Sequence, residues 1–192
     1  TVDPVVAAAH IITALQTITS RNINPLDSAV VTVGRVDAGT AFNIIPQEAI
    51  FEGTIRTFTK EVTSKVNQRF SEIINHIAEA MNCQAEIDLK QITYPVANDP
   101  ELADLMQKVI ENVHPEANID LSHQTMGSED FSFMMRDIPG CFVFIGSANP
   151  EEGLNYPHHH PKFNIDEACL PYAVAIMAQG AMDLLKFSPK LT

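Results

Sequence analysis

Cysteine and positive charge are both scarce in this chain. The three cysteines, Cys83, Cys141 and Cys169, are odd in number, widely spaced and set in apolar surroundings. No CxxC pair occurs, which excludes a disulfide framework or a thiolate zinc ribbon and predicts buried, reduced thiols in a cytosolic protein. Twelve Lys and Arg against twenty-four Asp and Glu leave a formal charge of -12. That balance repels phosphate backbones and anionic bilayers, so nucleic acid and membrane surfaces are disfavoured as partners. A small anionic substrate stays open, because one local arginine can hold a carboxylate against the net field. No apolar run approaches the roughly 20 residues of a membrane span, no signal-peptide pattern is visible, and there is no HExxH zinc helix.

What is there is a chain of 192 residues, 45% hydrophobic, enough for one large packed domain or two small ones. Asp3-Pro4 reads as an N-cap followed by proline in the first helical turn. Val6, Ile11, Ile12, Leu15 and Ile18 then recur at helical spacing, which predicts a helix to about Ser20, with His10 on it as a partly buried histidine. A turn over 22–27 leads into the β-branched run 29–36. After the break at Gly39-Thr40, a second strand is expected over 48–58, where alternation puts Glu52 and Arg56 on one face. Thr59 caps a helix to about Met81, and 85–92 alternates as a half-buried strand does. Helix, strand, strand, helix, strand is a split β-α-β pair lacking its leading strand.

Tyr94-Pro95-Val96-Ala97-Asn98 reads as a linker, and Asp99-Pro100 repeats the cap signal before a helix to about Val113. Ser128 is expected to cap a short helix over 129–135. The continuous apolar run 141–146 predicts a strand covered on both faces, and Asp166 opens a closing helix with Leu170, Val174, Met177, Met182 and Leu185 on its apolar side. A doubly covered strand needs sheet neighbours that this stretch does not offer. With the absent leading strand and a start at Thr1 rather than Met, the chain reads as the C-terminal part of something longer.

Three histidines, His158, His159 and His160, stand between Pro157 and Pro161. The prolines make this a stiff, irregular loop, and neutral imidazole is the commonest protein metal ligand. A solvated polar loop is the alternative. Glu151, Glu152, Asp166 and Glu167 read as solvated loop or helix-start charges, so a complete three-ligand site is not visible. Gly127-Ser128-Glu129-Asp130 places two carboxylates where a helix dipole already favours them. Asn43 and Arg56 each read as structural when taken singly; together they can form a carboxylate clamp, the guanidinium binding two oxygens and the amide orienting them.

Four separated motifs then occur in a telling order: Gly39-Thr40-Ala41-Phe42-Asn43-Ile44-Ile45-Pro46, Gly53-Thr54-Ile55-Arg56, Gly127-Ser128-Glu129-Asp130-Phe131-Ser132, and His159-His160-Pro161-Lys162-Phe163 through Asp166-Glu167. In this the chain resembles the dinuclear-metal amidohydrolases and metallopeptidases. That group includes N-acyl-amino-acid deacylases, hippurate hydrolases, indoleacetyl-amino-acid hydrolases and, more distantly, glutamate carboxypeptidase and the aminoacylases.

The resemblance implies an α/β enzyme with two domains. Residues 1–92 would be a ferredoxin-like α+β lid or dimerisation domain without its first strand, and 93–192 the returning end of an incomplete zinc-exopeptidase-type catalytic domain. His159 matches the family's last metal ligand, with His158 and His160 as neighbours and His160 the nearer rival. Asn43 and Arg56 match the lid residues that hold the substrate's carboxylate, and Glu129, in a stretch bordering the site, is the third expected substrate-binding residue. The remaining ligands and the glutamate general base have no counterpart here, so no catalytic residue is expected within this chain.

The expected function of the parent enzyme is metal-dependent hydrolysis of the amide bond of N-acyl amino acids or small peptides. It would use two divalent ions (Zn, Mn, Co or Ni) that this chain alone would not retain, and the chain alone would be inactive. Its expected partners are the substrate, the N-terminal half of the same enzyme and a second copy through the lid, in the cytoplasm. Two rivals come from other classes: a noncatalytic dimerisation module built on the ferredoxin-like half, and a small-ligand sensor with a degenerate site.

Overall fold

Asp3 starts the first helix. In the structure, a computed structural model that describes residues 1–186, its Oδ1 accepts from the backbone N–H groups of Val5 and Val6 at 2.9 and 3.2 Å. Those are two of the donors that every helix start leaves unpaired. Helix α1 runs Pro4–Thr17 and continues as a π-helical turn, Ile18–Asn22. Ile11, Leu15 and Ile18 are buried. His10, expected to be partly buried, is exposed; it sits one position off that stripe, about 100° round the helix.

Strands β1 (Ala29–Ala38) and β2 (Ala49–Thr57) form an antiparallel hairpin. Its register shifts between Val33 and Arg35, leaving Gly34 as the extra residue of a bulge. The bulge decides which way Arg35 points. Without it Arg35 would share the inward face of Val31 and Val33; with it, Arg35 pairs across to Glu52 on the outer face. There it forms ion pairs to Glu52 at 3.0 Å and Asp37 at 2.5 Å. Opposite Val33 stands Gly53, where a Cβ would lie 1.9 Å from the Thr32 carbonyl oxygen. Only a residue without a side chain fits so close an approach.

Thr59 caps helix α2 (Lys60–Ala80), its Oγ1 accepting from the Val62 N–H at 3.2 Å. Helices α1 and α2 cover the inward face of the hairpin. Their shared core joins Ile11, Leu15 and Ile18 to Val31, Val62, Val66, Ile73 and Ile74, with Phe51 and Ile55 of β2 packed against it. Ile87 also touches this core. The segment expected to be a half-buried strand over 85–92 packs through Ile87 alone, with Leu89 and Ile92 exposed, and among the described residues it forms no ladder. Alternation specifies one buried face; a strand also needs a partner, and in a split β-α-β pair the last strand lies beside the leading one, not beside the hairpin.

Helix α3 (Pro100–Val113) is capped by Asp99, whose Oδ1 accepts from the Leu102 N–H at 3.1 Å. The short α4 covers Phe131–Met135, and α5 runs Leu170–Leu184. Helices α3 and α5 pack together around Val109 and Ile176, and Gly180 lets them approach closely against Met106. The side of α5 expected to be its apolar face, Leu170, Val174, Met177, Met182 and Leu185, is instead exposed, because the contact with α3 falls on the Ile176–Gly180 side. The run 141–146, expected to be a strand covered on both faces, has no ladder pairing among the described residues. Phe144 is 58% exposed. Apolar sequence had named the demand for cover, and it is met only in part: Cys141, Phe142 and Val143 are half-buried while Phe144 and Ile145 are exposed. The three cysteines are free but only half-buried, not fully buried as expected.

The chain divides into two compact units. One comprises Thr1–Pro95 with Thr125–Ser132, the other Val96–Gln124 with the described residues from Phe133 onward. Among the described residues no helix is long and apolar enough to cross a membrane.

Candidate functional site

In the first unit the site is built on Arg56, near the end of β2. Its side chain leaves the sheet on the face opposite the Phe51–Ile55 core and meets the segment that contains Gly127-Ser128-Glu129-Asp130. Nη1 donates to the Met126 carbonyl at 2.6 Å and to the Ser128 Oγ at 3.2 Å. Two motifs about seventy residues apart are thereby joined. The same segment is held a second time by Ser132, 1% exposed, whose Oγ accepts from the Tyr94 N–H at 3.1 Å.

Both contacts use one terminal nitrogen. Among the described residues, Nε and Nη2 of the half-buried Arg56 have no hydrogen-bond partner. Those two N–H groups form one edge of the planar fork, the edge that takes a carboxylate through two parallel hydrogen bonds. An arginine anchored on one side and open on the other is pre-set for an anion.

Ser128 does not cap α4 as expected. Its hydroxyl is engaged by the guanidinium, and the neighbouring Glu129 serves instead, its Oε1 accepting from the Phe131 N–H at 3.4 Å. Glu129 is thus half-buried and turned to its own helix start.

Asn43 lies in the exposed connection between the strands. The ladder closes beside that connection at Ala38 and Ala49, whereas Arg56 pairs with Val30 at the far end. Seven residue steps along the strand separate Ala49 from Arg56, about 23 Å. The two side chains start from opposite ends of one hairpin, so the fold does not bring them together as a local pair.

In the second unit the three histidines differ sharply. The His160 ring stacks on Tyr156 with centroids 4.4 Å apart, and its Nδ1 accepts the Lys162 N–H at 3.1 Å. The proton of neutral His160 therefore sits on Nε2, and neither nitrogen keeps a free lone pair for a metal. His158 packs edge-on against Phe163 at 4.9 Å. His159 has φ 68°, in the left-handed region, and its exposed ring makes no hydrogen bond or ring contact among the described residues. Such a backbone costs about 1–3 kcal/mol and persists only where the surroundings impose it.

The surroundings are a cross-braced loop. Asn149 and Leu154 exchange both backbone hydrogen bonds, at 2.8 and 2.9 Å, and the Asp166 N–H donates to the Ser147 carbonyl at 2.9 Å. Asp166, expected to be a solvated charge, is half-buried and doubly engaged. Its Oδ1 accepts from the Ala168 N–H at 2.9 Å and its Oδ2 from the Asn149 side-chain amide at 2.8 Å. These bonds, the Ala168 one first, hold its carboxyl below the ordinary carboxylate range. Sequence reasoning found Asp166 as a helix start but missed Asn149, since nothing local marks an asparagine whose partner lies seventeen residues on.

Among the described residues, no three His, Cys, Asp or Glu side chains gather to hold a metal ion. The second unit thus offers one unengaged imidazole and no ligand set of its own.

Comparison with known proteins gives this geometry its setting. N-acetyl-L-cysteine deacetylase of Bacillus subtilis (strain 168) is 37% identical over 183 residues, 95% of this chain and 42% of that protein. N-acetyldiaminopimelate deacetylase of Anoxybacillus flavithermus is 38% identical over 179 residues, 93% of this chain and 46% of that protein. Among solved structures, a dinuclear metal-binding peptidase of the M20 family from Bacillus subtilis superimposes with a TM-score of 0.80 at 32% identity, over 96% of this chain and 47% of that one. The chain spans less than half the length of each of these relatives. Residues 8–183 match peptidase family M20/M25/M40, and the chain belongs to that family.

Proposed function

We propose that this chain supplies the substrate-gripping part and one metal ligand of a metal-dependent amidohydrolase acting on N-acyl amino acids or small peptides. The observation that carries the reading is Arg56, fixed through Nη1 with the Nε/Nη2 edge open. That edge would bind the carboxylate of the acyl amino acid and so align its amide bond. The names of the two deacetylases and of the dinuclear M20 peptidase support the substrate class and the metal dependence.

The described residues do not form a complete metal site. In this reading His159 is one ligand, and the other ligands and the general base come from residues outside this stretch, so the chain alone is inactive and retains no stoichiometric metal. The engaged state of His160 favours His159 over its neighbour. Glu129 borders the site through the segment that Arg56 grips, and one of its carboxylate oxygens orders the start of α4. Residues 1–92 act as the lid and 93–192 as the returning part of the catalytic domain.

The hairpin register adds a condition. If Asn43 and Arg56 serve one substrate, Asn43 must come from a second copy, which makes the active form a dimer joined through the lid. In the complete enzyme, Arg56→Ala should raise KM about 30-fold or more for N-acyl amino acids while leaving carboxamide analogues unchanged. Equal losses on both substrates would remove the clamp. Copies carrying only Arg56→Ala, co-expressed with copies carrying only Asn43→Ala, should recover roughly a quarter of the intact sites; no recovery places both residues in one copy.

A further inference from the structure

We propose that Asp166, acting through Asn149, is the positioning residue of the histidine loop. Its carboxylate joins the start of the loop to its end and so maintains the backbone that holds His159 in the left-handed conformation. The role rests on the reading of His159 as a ligand; the bracing itself rests on geometry alone.

Five bonds brace the loop through the pair. Asp166 is tied by its own N–H to Ser147, by Oδ2 to the Asn149 amide, and by Oδ1 to the first turn of the closing helical segment, while Asn149 bridges to Leu154 through its backbone. The residues between, from Leu154 to Phe163, carry the three histidines. They turn through two further bonds, from the His160 N–H to the Pro157 carbonyl and from the Phe163 N–H to the His160 carbonyl. Gly153, with φ 73°, takes the reversal at the base. An amide donating to a carboxylate is charge-assisted and stronger than a neutral pair, so this one side-chain bond dominates the closure of a loop that has no buried core of its own. Asp166 does not touch substrate in this scheme. It acts by fixing where the imidazoles are presented.

The test is a reversal of the pair, read in the protein carrying this sequence by amide hydrogen exchange and by the side-chain 15N shift of His160 Nδ1. Asn149→Asp sets two carboxylates against each other. Exchange at Leu154, Lys162 and Phe163 should quicken about tenfold or more, and the His160 Nδ1 signal should lose its acceptor signature, while amides within α3 and α5 stay protected. Adding Asp166→Asn restores the bond with donor and acceptor exchanged, the new amide still capping Ala168, and both readouts should return. An unchanged loop in the single variant, or a double variant that stays loose, overturns the proposal. Measured alongside in the complete enzyme, hydrolysis should fall in the single variant and recover in the double. A loop that loosens and recovers while hydrolysis stays constant would leave the brace standing and remove His159 from the reaction.

Discussion

At the scale of single residues, the site depends on a few atoms whose partners are remote in sequence. Gly53 shows the point. It belongs to the Gly-Thr-Ile-Arg motif, but the reason for glycine is the Thr32 carbonyl across the hairpin, 1.9 Å from where a Cβ would stand. Backbone cannot swing aside as a long side chain can. Gly53→Ala should therefore destabilise the chain by at least about 1–3 kcal/mol, seen as a lower urea midpoint at an unchanged slope. Arg56 was legible as an odd cation in an apolar strand, whereas its anchoring to Met126 and Ser128 was not, because nothing in either motif specifies the other. Its replacement by Lys should not rescue binding, since an ammonium cannot hold one anchor and present a planar two-pronged edge together.

At the scale of elements, helices were readable and strands only half so. Asp3, Thr59 and Asp99 each cap the helix that their position announced, because a cap is a contact between residues two or three apart. Asp99→Ala should cost about 1 kcal/mol by loss of that bond, measurable by thermal or urea unfolding. Gly180 offers a contrast with Gly53. A Cβ there would meet the Met106 sulfur at 2.9 Å, the far end of a flexible side chain. Met106 can turn away, and alanine gains about 1 kcal/mol of helix propensity over glycine. Gly180→Ala should leave stability within about 1 kcal/mol of the parent, and a loss as large as that at Gly53 would mean the helices cannot yield. The runs at 85–92 and 141–146, expected as strands, form no ladders among the described residues. Pairing is a property of two segments, and their patterns describe one.

For the whole molecule, acidity governs the response to pH. The carboxyls of Glu72, Asp120, Asp166 and Asp183 all lie below their ordinary values, each chiefly through a hydrogen bond: from Gln68, from Ser122, from the Ala168 backbone and from Gln179. A carboxyl lowered on folding adds stability that is complete above its unfolded pKa and lost as pH falls through its folded one. Stability should hold from neutrality down to the ordinary carboxylate range and then decline, with the urea midpoint as the measure. A midpoint that rises through that acid range would show that relief of the -12 charge outweighs these bonds.

Sequence alone determined the caps, the helices, the inward stripes of α1 and α2 and the family resemblance. Each of these is set by composition or by residues a few positions apart. Tertiary structure alone decided that Arg56 meets Ser128, that Asn43 stands at the other end of its hairpin, that Glu129 serves its own helix, and that Asp166 reaches back to Asn149. Those relations depend on register and chain reversal, which place atoms many residues apart within hydrogen-bond distance and which no local pattern encodes.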